Sequence, residues 1–168
     1  MTIQQDAAKL GDYGAILEFL EIDLTPFGGS IFRVYNSIDR TDPVGDITFL
    51  GVNWVPVPFV SEGWAANGSG ATPRPTITIA DFDSILLAAA IEYQDLIGAR
   101  VYRYETTTEN VADDSFYGPE VWLVNQKLES DGNIIKFSLA SPMDQKTRRL
   151  PSWQMWRREF PAIGRNRR

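Results

Sequence analysis

The residues of this 168-residue chain best placed to do chemistry are carboxylates. Asp39, Asp42 and Asp46 lie within "DRTDPVGD", and Asp113 and Asp114 within "ENVADDSFYGPE". Acids at such spacing can ligate calcium or act as the acid and base of glycan hydrolysis. Neither stretch has the EF-hand pattern, and Pro43, Gly45 and Ser115 beside them are turn formers, so solvated turn acids are the plainer reading. Lys136 and Ser138 stand two apart on one face of an apolar-polar alternation, but no apolar pocket is implied for a Ser/Lys dyad. "GSG" followed by "ATPR" lacks the Lys-Ser/Thr ending of a phosphate loop. The chain has no Cys and no His. Disulfides, thiolate-held iron–sulfur clusters, zinc held by Cys or His, and every Cys- or His-dependent catalytic set are thereby excluded. The commonest general base near neutral pH is also missing. The chain therefore reads as a non-enzyme without cofactor or metal, a carboxylate-dependent hydrolase being the alternative.

Charge is distributed unevenly. Residues 146–168 carry eight Lys and Arg against Glu159, a net of +7, whereas residues 1–145 carry eight bases and 21 acids, a net of −13. A basic tail on an acidic body can fold back or dock on another acidic surface. The same body would repel nucleic acid. Trp153 and Trp156 fall within this tail, in "PSWQMWRREFP", where the periodicity of a core has ended. Trp and Arg together make the composition of interface anchors. Arg148, Arg149, Trp153, Trp156, Arg157 and Arg158 are accordingly expected to dock on a neighbouring subunit. A second interface element is the Gly/Ser-rich loop in "GWAANGSGATPRPTITIAD" (63–81), with Trp64 as its anchor and Arg74 as its charged contact. Ordering such a loop costs conformational entropy, which an adjacent chain can offset.

The elements that must carry these residues are mostly strands. "ILEFLEIDLT" alternates, with Leu20, Ile22 and Leu24 on one face, and pairs through "PFGGS" with "IFRVYNS". "ITFLGVNWVPVPFV" predicts a hairpin turning near Gly51 and Asn53, with Pro56 and Pro58 on an edge or on a strand leaving the sheet. "PTITIA" and "ARVYRYETT" are further strands. "VWLVNQKLES" and "NIIKFSLAS" form a hairpin through Asp131-Gly132. Residues 4–15 predict a short N-terminal helix. Residues 84–97 predict a helix buried on both sides, capped by Asp81 or Asp83 and ended by Gly98. The fold class is mainly β (α+β), an antiparallel barrel or sandwich of seven or eight strands with one buried helix. Residues 1–145 form the β-rich domain and 146–168 the basic tail. No apolar run approaches the roughly 18 residues of a membrane span, and no secretory signal opens the chain, so synthesis in a cytoplasm is expected.

Four blocks follow one another in order, "LEIDLTPFGGSIFRVYN", "ITFLGVNWVPVPFVSEGWAANGSGATPRPTITIAD", "DLIGARVYRYETT" and "IIKFSLASPMD", together spanning residues 17–145. This order of segments resembles the phage minor tail protein L family of long, non-contractile-tailed phages. The resemblance implies a virion structural protein of the tail tip, with a hub-like, tail-tube-like β-barrel. It implies a place between the distal tail protein ring and the central hub or host-specificity protein, and threefold symmetry. A role in tail assembly and genome ejection follows, with phage DNA passing through the channel without sequence-specific binding. Many members continue into a four-Cys region that binds an iron–sulfur cluster. Here the corresponding stretch, "RRLPSWQMWRREFP", holds no Cys, so the cluster is not carried over. A monomeric binding β-domain is the remaining alternative.

Overall fold

Strand β1 (Ile16–Asp23) shows how the sequence builds this fold. Its even residues Leu20 and Ile22 face one apolar cluster, and its odd residues Leu17 and Phe19 face a second on the opposite side of the sheet. A computed structural model describes residues 16–37, 45–65, 72–81 and 84–144. Within them β1 is followed by β2 (Ile31–Ser37), β3 (Ile47–Phe49), β4 (Val52–Pro56), β5 (Phe59–Glu62) and β6 (Thr76–Ala80). Helix α1 (Ile85–Glu92) then precedes β7 (Arg100–Thr107), β8 (Tyr117–Ser130) and β9 (Ile134–Ala140). The molecule is mainly β with one helix among the described residues. The predicted N-terminal helix falls outside them.

The nine strands form one sheet in the order β3-β4-β2-β1-β7-β8-β9-β6-β5. All pairs are antiparallel except β2 with β4. The sheet is therefore mixed rather than purely antiparallel, and it does not close into a barrel, one of the two architectures expected. Its β5 edge nevertheless curls back to the middle of the sheet. The Asn36 amide donates to the Phe59 carbonyl at 2.7 Å, and the Ser61 hydroxyl reaches Glu18 on β1. Side chains, rather than a backbone ladder, bridge that seam. Pro56 is the last residue of β4, where the chain leaves the ladder for β5, as a residue without an N–H favours.

The larger core lies inside the curl. It joins Leu20, Ile22, Val34, Ile77, Ile79, Val101, Ile135, Phe137 and Leu139 to Leu86 and Ala90 of α1. The smaller core is aromatic. The β3–β4 hairpin folds Phe49 and Trp54 beneath Phe19 and Tyr35, with Phe19 to Phe49 ring centres 4.5 Å apart and Phe19 to Trp54 edge-on at 5.1 Å. The indole of Trp54 donates to the Phe49 carbonyl at 2.9 Å, so its polar atom is satisfied within the core.

Helix α1 is shorter than the predicted 84–97 span. Gln94, Asp95 and Leu96 all take positive φ, which ends the helix at Glu92 before a 3-10 turn and Gly98. Its start is held by Asp81, whose buried carboxylate accepts the N–H groups of Leu86 (3.1 Å) and Leu87 (2.7 Å). Only Leu86 and Ala90 of α1 are buried, while Ile85 and Ile91 face outward. The expectation of a helix buried on both sides is thus corrected, because the sheet contacts one face only. Strand β8 begins at Tyr117, inside the stretch expected to be a loop. Gly118, at φ +115°, lies so close to β7 that an added Cβ would meet the Arg103 carbonyl oxygen at 2.7 Å. Only glycine fits there.

Candidate assembly site

Trp64 follows β5 by two residues and stands at the foot of the loop that sequence singles out. Its ring packs on the larger core, edge-on to Trp122 of β8 with centroids 5.6 Å apart. The Arg103 guanidinium lies over its face at 4.4 Å, a cation–π geometry. Neither indole N–H of this pair has a hydrogen-bond partner among the described residues, although both nitrogens are buried.

Sequence reading missed the centre of this arrangement. Arg103 is only 8% exposed and contacts three carboxylates from three strands. Its Nε donates to Glu18 of β1 at 2.5 Å and its Nη1 to Glu120 of β8 at 3.3 Å, while its Nη2 donates to Glu105 of β7. Burial works against its charge, yet the hydrogen bond and charge of Glu18, backed by Glu105 and Glu120, hold the guanidinium pKa above its ordinary value. The Ser61 hydroxyl donates to both Glu18 oxygens at 2.7 and 2.8 Å. The signal was present in the alternation of "RVYRYE": Arg103 occupies the same strand face as Val101, where an inward residue belongs. β1, β7, β8 and the loop foot thus meet at one arginine, and β5 joins them through Glu18.

The other foot of the loop is Arg74, with two-thirds of its side chain exposed and an ion pair to Asp144 at 3.3 Å. The Pro75 carbonyl accepts the N–H of Leu139 at 2.7 Å. Glu62 and Thr76 pair across the loop's base. The structure thus brings the start of β6 beside the 3-10 turn Pro142–Asp144, from which the basic tail departs. Arg148, Arg149, Trp153, Trp156, Arg157 and Arg158 lie outside the described residues.

Two of the acids considered for catalysis have ordinary duties in the fold. Asp46 accepts from the Asn53 amide at 2.7 Å, and Asp114 accepts the backbone N–H of Leu50 at 2.9 Å. Asp39 and Asp42 fall outside the described residues. Among the described residues no three acids are grouped so that they could hold a metal ion.

A model of the phage minor tail protein L family matches residues 25–163 of this sequence. The chain belongs to that family. The match extends past the β-rich body into the Trp/Arg tail, so the tail is part of the shared pattern. Among curated proteins, tail tip protein L of Escherichia phage lambda is 27% identical over 135 residues, covering 74% of this chain and 57% of that protein. The chain thus spans just over half the length of this curated relative. No helix of the described residues is long and apolar enough to cross a membrane.

Proposed function

We propose that this chain is a structural protein of the tail tip of a long-tailed bacteriophage, made in the host cytoplasm and carried in the virion. The observation that supports this most is the family match over residues 25–163, which covers both body and tail. In this reading the chain sits between the distal tail protein ring and the central hub or host-specificity protein. Three copies close a ring, and the tail of residues 146–168 docks on a neighbour. The loop between Trp64 and Arg74 is a second contact, with its feet already fixed in the body. The ring borders the channel through which DNA leaves, and the acidic body presents a surface on which DNA slides without sticking. The chain completes the tip and carries out no catalysis.

Cryo-electron microscopy of the intact particle's tail tip tests this. The expected map shows three copies around the axis between the tube end and the central fibre. A tip built without this chain would sink the proposal. Substituting Asp42, Asp46, Asp113 and Asp114 one at a time separates the enzymatic alternative. Particles that assemble normally yet lose a glycan-cleaving activity would show a hydrolase.

A further inference from the structure

The outer face of helix α1 is apolar where solvent should favour polar side chains. Ile91 is 75% exposed, Ile85 55% and Ile97, just beyond the helix, 54%, and Ala88 is exposed between the first two. Ile85, Ala88 and Ile91 recur every three residues and so run along one side of the helix. Ile is a poorer helix former than Lys or Glu, and placing it outward leaves apolar area in water. The same region is electrostatically one-sided. Residues 84–97 contain Glu92 and Asp95 and no Lys or Arg. Glu92 closes the helix at the end where the macrodipole is already negative, and the last turn holds no cation. Asp95 is met by Lys127 of β8, while Glu92 is exposed.

A partner for this face must bring large apolar side chains together with positive charge. The chain's own tail has both. Trp153, Trp156 and Phe160 recur at intervals of three and four, with Arg157 and Arg158 between them. One short segment of sequence thus supplies both the large apolar side chains and the positive charge. We propose that the outer face of α1 receives residues 146–168 of a neighbouring copy of this chain. Trp153, Trp156 and Phe160 cover the isoleucines, and arginines meet Glu92 and the negative helix end. Charge argues for a neighbour's tail over the chain's own. Bodies of net −13 repel one another when packed side by side, and a +7 tail reaching across the gap counters that repulsion where it arises. The proposal rests on the ring described under Proposed function and names the surface that closes it.

Because the chain has no Cys, two engineered thiols report on it without background. Ala88→Cys places one on the outer face, and Gln154→Cys places the other between the tail's tryptophans, sparing every proposed anchor. The doubly substituted chain is supplied to phage lacking their own copy, and purified particles are treated with a short bis-maleimide and run on a denaturing gel. The expected result is a shift of most of the chain to bands of two and three copies, lost when Ile91→Lys is added. Ile91 is exposed, so that change should leave the thermal midpoint of the purified chain unmoved. Particles that contain the chain but give no bridge, a bridge within one copy, or bridging indifferent to Ile91→Lys would overturn the docking alone. Particles without the chain would overturn the tail-tip reading and the docking with it.

Discussion

Arg103 is the residue whose loss should matter most. It neutralises carboxylates from three strands and covers a tryptophan ring, and its own side chain is nearly excluded from water. Arg103→Ala should destabilise the chain by about 3–5 kcal/mol in urea unfolding, because it leaves partly buried carboxylates without their cation. Asp131 illustrates a smaller, pH-linked effect. The backbone N–H groups of Asn133 and Ile134 hold its carboxyl below the usual carboxylate range. A depressed pKa means the turn's contribution is present above the ordinary carboxylate pKa and is lost as pH falls through the folded value. An NMR titration should show Asp131 protonating at lower pH than a free aspartate. Asp131→Asn should abolish the acid sensitivity of amide protection at Asn133 and Ile134. Of these two residues only Asp131 stood out in sequence, since Asp-Gly between two alternating runs announces its turn. Arg103 was hidden because two of its three carboxylate partners lie 85 and 17 residues away in the chain. One alternation cannot reveal a charge cluster assembled from several strands.

Helix α1 and the bulged β7–β8 pair show what local pattern conveys at the scale of elements. Asp81 was one of two caps legible in sequence, the other, Asp83, lying outside the described residues, and it does hold two N–H groups, although it lies four residues before the first helical residue. Asp81→Ala should cost about 1–2 kcal/mol, read as a lowered urea midpoint with unchanged m-value. Hydrogen exchange should accelerate first at Leu86 and Leu87. The end of α1 was less legible. Apolar periodicity continues through Ile97, but the backbone departs from it at Gln94, and periodicity records which residues are apolar, not where a chain turns. The early start of β8 was concealed for the opposite reason. Gly118 and Pro119 read as loop formers, yet here they shape a shift of register between Arg103 and Glu105 within a continuing ladder.

At the scale of the whole molecule, strands and their order along the chain were accessible from sequence, but the path of the sheet was not. The parallel pairing of β2 with β4 and the open seam near Phe59 depend on how two apolar faces are filled together. The structure fixes both feet of the loop after β5 inside the body, through Trp64 on Trp122 and through Glu62 opposite Thr76. Removing Ala65–Ala71 should therefore leave the thermal midpoint of the purified chain nearly unchanged. The same deletion should abolish complementation of tail assembly in phage lacking this protein. Full complementation would remove the loop from the assembly surface.

Strand β1 is apolar on both sides along its first half, with Leu17 and Phe19 on one and Leu20 on the other. Sheets usually guard against a one-residue slip because the slip turns an oily face toward water. Here that safeguard is weak, since either side of the strand finds an apolar bed. Glu18 restores it. Sliding β1 by one place against β7 would draw its carboxylate away from Arg103 and set Leu17 or Phe19 against the guanidinium. The arginine cluster thus acts as a proofreader of alignment. It makes the misaligned chain costly, so that every copy of the chain presents the same surface.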